Sequence, residues 1–112
     1  MYSNKGFVLR HLLDSDFQDF IKDGVSVVDF WAEWCGPCRA FGPVFEAVAA
    51  KHAESGVKFA KFEITDDNKK SPVDCGVRSI PAIIAFKDGQ KVKTQTGLVD
   101  GKAFEDWIKE LL

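Results

Sequence analysis

The sequence predicts an α/β fold with a single central sheet, because short β-rich segments alternate with helical segments along the chain. Its 112 residues are close to the common size of one domain, and no repeat, low-complexity tract or linker interrupts the pattern. Aromatic residues are frequent, with ten Phe, three Trp and one Tyr, and they supply much of the apolar area for a core. We therefore expect one domain over residues 1–112.

Five segments are predicted to form strands because they are short, β-rich and bounded by turn residues. They are Phe7 to Leu9, Val25 to Phe30, Val57 to Ile64, Ala82 to Lys87 and Lys91 to Thr96. The second is apolar over nearly its whole length, as in a central strand that is buried on both faces. The turn signal around Asp88-Gly89 predicts that the last two strands form an antiparallel hairpin.

Four helices are predicted from apolar periodicity and capping residues. They run from near Asp14 to Asp23-Gly24, from about Cys35 to His52, over Asn68 to Asp74, and from just after Asp100 to near the end of the chain. We expect the Asp14 side chain to cap the first helix. Pro43 lies inside the second helix and is expected to kink it.

Charge and hydropathy exclude two classes of partner. Lys and Arg number 15 against 17 Asp and Glu, a net charge of −2, so no broad basic face is expected for nucleic acid. The longest apolar runs are far shorter than the roughly 20 residues of a membrane span, and the first residues lack the pattern of an export signal. We therefore expect a cytoplasmic protein that binds neither nucleic acid nor membrane.

Two of the three cysteines indicate where the chemistry lies. Cys35 and Cys38 have the C-x-x-C spacing and follow the predicted central strand at the start of the second helix. A thiol at a helix N-terminus meets unpaired N–H groups and the positive end of the helix dipole, which lower its pKa. Cys35 is therefore the expected exposed nucleophile. Cys38 is expected to be less exposed and close enough to form a disulfide with Cys35, as a resolving thiol is.

Asp29 interrupts the buried strand that leads to the cysteines. A charge there costs several kcal/mol unless it is paired or protonated, so we expect burial to raise the pKa of this carboxyl. Lys61 interrupts the third predicted strand. It is either a lysine whose stem lies along apolar surface or a charge that modulates Asp29.

The cysteine pair has two alternative roles that the sequence leaves open. Cys75 together with His52 or His11 would complete four zinc ligands, although no second C-x-x-C or H-x-x-x-H pair is present. The pair could also form a purely structural disulfide, which is rare in a cytosolic chain. Cys75 itself is most simply a packed small residue or an incidental surface thiol.

The segment that contains the cysteines resembles the active-site segment of the thioredoxin family. It reads Val28-Asp29-Phe30-Trp31-Ala32-Glu33-Trp34-Cys35-Gly36-Pro37-Cys38. Further positions that match the family's pattern are Pro43 in the second helix, Lys61 in the third strand, Ile80-Pro81, and Gly97. The similarity extends from about Phe7 to Leu111.

The resemblance implies the thioredoxin fold, a mixed five-stranded sheet in the order β3-β1-β2-β4-β5 with four flanking helices. It also implies a cis peptide bond before Pro81 and a Cys35-Cys38 dithiol that reduces protein disulfides. The implied partners are disulfide-containing proteins and a thioredoxin reductase, which supplies electrons from NADPH through its flavin. We expect no cofactor on this chain besides the redox-active disulfide, no metal, and a monomer.

The same resemblance and the chemistry of these residues assign the rest of the site. Asp29, directly or through a water, is expected to accept the Cys38 proton. Gly36 and Pro37 are expected to keep the turn between the cysteines tight. A shallow apolar groove for an extended polypeptide is expected around the cysteines, formed by Trp34, Gly36, Pro37, Ile64, Ile80, Pro81 and Gly97.

Two alternative functions remain. An oxidase or isomerase of the same fold usually has residues other than Gly-Pro between its cysteines and usually carries an export signal. A binding module or holdase would use the fold while its redox chemistry was dispensable, and only loss of both cysteines would distinguish it from an enzyme.

Overall fold

The structure, a computed structural model, describes residues 9–112 and confirms the alternation of strands and helices. Its elements in chain order are β1 (Arg10–Leu12), α1 (Asp14–Ile21), β2 (Val25–Trp31), α2 (Gly36–Lys51), β3 (Lys58–Glu63), α3 (Lys70–Asp74), β4 (Ala82–Lys87), β5 (Gln90–Thr96) and α4 (Gly101–Lys109). None of these helices is long and apolar enough to span a bilayer.

The five strands form one mixed sheet in the order β1-β3-β2-β4-β5. β1, β3 and β2 are parallel, whereas β4 and β5 run antiparallel to their neighbours. The expected fold class is confirmed, but β1 and β3 exchange places relative to the expected order. The reason is burial: β1 has only three residues and exposes Arg10 and His11, so it lies at the edge, whereas β3 is largely buried and pairs with β2 over six residues.

The first predicted strand, from Phe7 to Leu9, overlaps the residues that the structure describes only at Leu9. Residues 7 and 8 lie outside the described residues, and Leu9 precedes β1. In β1, the Leu12 side chain is buried, and this residue has an apolar partner in Phe62 of β3. Pairing with β3 thus accounts for the strand that the described residues form at Arg10–Leu12.

Helices cover both faces of the sheet. On one face, buried side chains of β2 and β3 pack against α2 and α4, and this cluster includes Val27, Phe45, Phe59 and Phe104. On the other face, the cluster under α1 includes Phe17, Val28, Phe30 and Phe62. Because successive strand residues point to opposite faces, Asp29 and Lys61 lie on the α2 side, with Val27 and Phe59.

The hairpin between β4 and β5 forms as predicted. Its two turn residues both have positive φ, 50° at Asp88 and 86° at Gly89, as the favoured two-residue hairpin turn requires. The Asp88 side chain also accepts a hydrogen bond of 2.8 Å from the Gly24 N–H. This contact joins the hairpin to the loop that follows α1.

The role predicted for Asp14 is wrong, because this carboxylate caps a different helix. It accepts hydrogen bonds from the backbone N–H groups of Lys70 (3.0 Å) and Ser71 (2.7 Å) and from the Ser71 hydroxyl (2.7 Å). Asp14 lies at the start of α1 but stabilises the N-terminus of α3. The third helix also begins at Lys70 rather than Asn68, whose buried side chain bonds to the carbonyls of Leu12 and Glu63.

The other helix predictions agree with the structure to within about two residues. α2 begins just after Cys35 and contains Pro43, although a kink there stays a prediction. In α4 the Asp100 side chain caps the Ala103 N–H at 2.8 Å, and Trp107 and Ile108 are buried.

Candidate active site

The cysteine pair occupies the N-terminus of α2. Cys35 is the N-cap residue of this helix, and Cys38 lies in its first turn with a Cα–Cα distance of 5.3 Å. The two sulfurs are joined in a disulfide, and the Cys38 N–H donates to Cys35 Sγ at 3.2 Å. Pro37 lies in the first turn of α2. Proline has no backbone N–H, and in this turn an N–H would have no partner within the helix, so nothing is lost. The sequence thus folds locally so that a helix N–H group is aimed at the Cys35 sulfur.

Cys35 is less exposed than we expected. Its accessible fraction is 6%, compared with 1% for Cys38, so the predicted ranking holds but neither residue is open to solvent in the disulfide form. Ala32 is buried with the pair, and the partly buried side chains of Trp31 and Ile80 pack against it. The end of β2 and the segment around Ile80 therefore both pack on the cysteine pair, which the motif alone does not reveal.

The Ile80-Pro81 segment faces the cysteines, and its peptide bond is cis, as expected. The Ile80 carbonyl oxygen lies 3.9 Å from Cys35 Sγ. The Gly97 N–H donates to the Pro81 carbonyl at 2.9 Å, and the φ of +87° at Gly97 favours glycine. The structure thus joins Ile80, Pro81 and Gly97 into one wall beside Cys35.

Trp34 and Ile64 line a cleft that includes none of Ile80, Pro81 and Gly97, so the structure does not join all the residues of the expected groove. The Trp34 side chain is among the most exposed apolar groups of the described chain, at 79%. The cleft has a volume of about 390 Å³, and its remaining lining residues are Glu33, Glu63, Thr65, Asp66 and Lys69. Sequence reasoning missed these charged and polar residues. The sequence could have identified three of them from their positions, because they are chain neighbours of Trp34 or Ile64.

Asp29 is fully buried on the α2 face of the sheet, and neither of its carboxylate oxygens hydrogen-bonds to any of residues 9–112. Burial raises the pKa of this carboxyl to about 7; the Lys61 ammonium acts to lower the pKa and the Glu46 carboxylate to raise it. The direction predicted from the sequence is confirmed. A group of this kind exchanges a proton near neutral pH.

Lys61 is the register partner of Asp29 in the neighbouring strand, yet its charge is directed elsewhere. The Lys61 Nζ atom lies 3.3 Å from Glu46 Oε2 and 4.8 Å from the centre of the Trp31 ring. Glu46 was not identified from the sequence. It lies on the exposed face of α2, where a single glutamate looks like an ordinary solvated residue.

The structure does not bring the proposed zinc ligands together. Cys75 is half-buried against the cluster under α1, which is on the other face of the sheet from α2 and α4. His52 is bonded through Nε2 to Glu105 at 2.9 Å, and His11 is an exposed residue of β1. Within residues 9–112, no group of three or more His, Cys, Asp or Glu side chains is arranged to hold a metal ion.

Comparisons with known proteins agree with this geometry. The thioredoxin family model matches residues 8–110. The chain is 45% identical over 105 residues to thioredoxin of Rickettsia typhi, covering 92% of this chain and 98% of that protein. It is 40% identical over 103 residues to thioredoxin of Rhodospirillum rubrum, covering 90% and 97%.

A solved structure also has the same fold. Thioredoxin of Malassezia sympodialis superposes with a TM-score of 0.82 at 33% identity, over 93% of this chain and 90% of that one. With Cys35 and Cys38 in the C-x-x-C positions at the start of α2, the chain belongs to the thioredoxin family of thiol-disulfide oxidoreductases, which reduce protein disulfides.

Proposed function

We propose that Cys35 is the attacking thiol of this reductase and Cys38 the resolving thiol. The observation that carries the assignment is the position of Cys35 as the N-cap of α2, with the Cys38 N–H donating to its sulfur. In the reduced protein these groups stabilise a thiolate on Cys35. Cys38 is the more deeply buried of the two, and it is not the N-cap residue of the helix.

The exchange proceeds in two steps that transfer two electrons to the substrate. The Cys35 thiolate attacks one sulfur of the substrate disulfide, so that a mixed disulfide forms and the other substrate sulfur leaves as a thiolate. Cys38 then loses its proton and attacks Cys35 Sγ. The second substrate thiolate leaves, and the Cys35-Cys38 disulfide remains on the protein.

Asp29 is proposed to accept the Cys38 proton in the second step, directly or through a water. Its burial, its two oxygens without hydrogen bonds and its pKa of about 7 support this role. A base whose pKa is close to the working pH is unprotonated often enough to accept a proton and still basic enough to hold it. Lys61 is proposed to modulate this carboxylate through its charge.

Substrates are proposed to bind as extended polypeptides along the wall of Ile80, Pro81 and Gly97. The Ile80 backbone lies beside the Cys35 sulfur, where an added strand would place a substrate disulfide. Trp34 and Ile64 would contact the substrate through the cleft that they line. Gly36 and Pro37 are exposed between the cysteines and would leave room for the substrate chain.

The partners follow from the same proposal. Disulfide-containing proteins are the substrates, and a thioredoxin reductase returns electrons from NADPH through its flavin, so this chain itself needs no cofactor. We place the protein in the cytoplasm, where such a reductant acts, as a monomer with one domain over residues 1–112.

The decisive experiment combines trapping with turnover. Cys38→Ser should accumulate a covalent adduct with a disulfide-bonded protein substrate, whereas Cys35→Ser should not. The unaltered chain should reduce the same substrate at the expense of NADPH when a thioredoxin reductase is present. Absence of an adduct in Cys38→Ser, with Cys35 still reactive, would contradict the assigned order. A Cys35→Ser, Cys38→Ser double variant that still supports growth of a thioredoxin-deficient strain would instead indicate a binding module.

A further inference from the structure

Lys61 and Glu46 form an ion pair at the border of the buried Asp29 site, and the mechanism above does not use Glu46. The Lys61 Nζ atom is 3.3 Å from Glu46 Oε2, and the side chains are 9% and 55% exposed. The lysine stem is therefore buried beneath α2, and its ammonium meets a carboxylate that remains in contact with water.

The same ammonium could have neutralised Asp29 instead. The two residues are register partners in parallel strands, and their side chains lie on the same face. Even so, neither Asp29 oxygen hydrogen-bonds to a residue of the described chain. The Lys61 ammonium is held by the Glu46 carboxylate and by the Trp31 ring, whose centre is 4.8 Å away.

The ammonium of Lys61 packs against α2 at Gly42. A Cβ atom at this position would lie 3.4 Å from Lys61 Nζ and 3.9 Å from Glu46 Oε2. The φ of Gly42 is not in the left-handed region, so the backbone does not require glycine, and glycine is a poor residue for a helix interior. Both distances are ordinary van der Waals contacts, so they show where the ion pair touches α2.

We propose that Glu46 is a positioning residue for disulfide exchange, which draws Lys61 away from Asp29 and so keeps Asp29 ready to take the Cys38 proton. The inference rests on the proposed role of Asp29. Two effects of Glu46 act in the same direction: its negative charge disfavours ionisation of Asp29, and its hold on Lys61 keeps a positive charge at a distance.

The other groups packed around Asp29 do not change this balance. Its partner in β4 is Ile83, and the buried residues of α2 and α4 in the cluster on this face are apolar. Cys38 of α2 is in the disulfide. The pKa of Asp29, raised to about 7 mainly by burial, is lowered by Lys61 and raised by Glu46, in agreement with the geometry.

The test is Glu46→Gln in the full chain, with two readouts. The Asp29 carboxyl is titrated by carbon-13 NMR in the oxidised protein, and the resolving step is followed by stopped flow as the second thiol released from a symmetric aromatic disulfide. We expect the Asp29 midpoint and the pH profile of the second release to move down by about 0.5 to 1 pH unit. Glu54→Gln, which removes the same charge from an exposed residue beyond α2, should change neither.

A second background separates the two effects of Glu46. In Lys61→Met, Glu46→Gln has no ammonium to release, so it should lower the Asp29 midpoint by less than half as much. An equal drop in both backgrounds, or no drop in either, would overturn the positioning role. A lowered midpoint with an unchanged pH profile of the second release would support the positioning and remove Asp29 from the mechanism.

Discussion

Asp29 and Lys61 are register partners across β2 and β3, yet the Asp29 carboxylate accepts no hydrogen bond from the lysine. Lys61 is paired with Glu46 on α2. A charged carboxylate without a partner in a strand buried on both faces opposes folding. The proposed catalytic role therefore requires a buried carboxylate that lowers the stability of the folded protein.

Asp29→Asn is predicted to stabilise the protein at pH 8 and to leave its stability nearly unchanged at pH 3.5. The folded-state pKa of about 7 lies above the ordinary value of 3.8. Between these values the folded state holds a proton that the unfolded state has lost, so stability falls as pH rises and levels off above about 7. The full difference corresponds to roughly 4 kcal/mol at pH 8, because the Asn amide, like the protonated carboxyl, is neutral in a site that offers neither of them a partner. Urea unfolding of the parent and of Asp29→Asn at both pH values measures this difference in the free energy of unfolding.

The same variant should resolve mixed disulfides more slowly, because Asn cannot accept the Cys38 proton. Asp67→Asn is the control, since Asp67 is exposed and the change in charge is the same. If Asp29→Asn is not stabilised at pH 8, the carboxylate is solvated or paired with Lys61 in solution. If it is stabilised and turns over normally, Asp29 is not the proton acceptor.

Asp14→Ala is predicted to destabilise the protein by about 1 to 2 kcal/mol at neutral pH, because α3 loses its cap. Partial burial acts to raise the pKa of Asp14, but hydrogen bonds from Ser71 and Lys70 outweigh it and hold the pKa below its ordinary value. The stabilisation is therefore present above the unfolded-state pKa and is lost as pH falls through the folded-state value. Denaturant unfolding at pH 7 and pH 3 should show the gap between the two proteins shrink at pH 3.

Asp14→Asn keeps an acceptor oxygen without the charge, and it should lie between the parent and Asp14→Ala. A loss in Asp14→Ala that is the same at both pH values would show that the carboxylate charge plays no part in the cap.

Local signals in the sequence were sufficient for some elements. The Asp88-Gly89 turn and the start of α4 after Asp100 each depend on residues within a few positions, so they were predicted correctly. The C-x-x-C spacing at the start of a helix located the cysteine pair for the same reason.

Contacts between distant segments were not predictable in this way. Asp14 reaches Ser71 across 57 positions, and Glu46 meets Lys61 only because α2 packs on β3. Likewise, the low exposure of Cys35 depends on Ile80. The residue pattern within one segment does not specify which distant residue will pack against that segment in the folded protein.

Alkylation of the reduced protein at neutral pH is predicted to label Cys35 first. Cys35 is the N-cap of α2, whereas Cys38 is almost inaccessible. Burial raises the pKa of the Cys75 thiol, with Lys91 opposing the shift, so less thiolate forms at Cys75. Timed iodoacetamide labelling with peptide mass spectrometry gives the order, and Cys75→Ser should retain the rate at Cys35 and full turnover. Faster labelling of Cys38 or Cys75 would contradict the assignment of the nucleophile.

Trp34→Ala is predicted to impair substrate binding without destabilising the fold. The side chain is 79% exposed, so its loss should change the free energy of unfolding by less than about 0.5 kcal/mol. An exposed aromatic beside the attacking sulfur is instead a typical anchor for a polypeptide, and its loss should lower kcat/KM for a protein disulfide about tenfold. A small aromatic disulfide, which does not reach across Trp34, should be reduced at nearly the unaltered rate. Val92→Ala removes another exposed apolar side chain, on β5, and should affect neither substrate. An equal loss with both substrates would place the effect of Trp34 on the cysteines rather than on polypeptide binding.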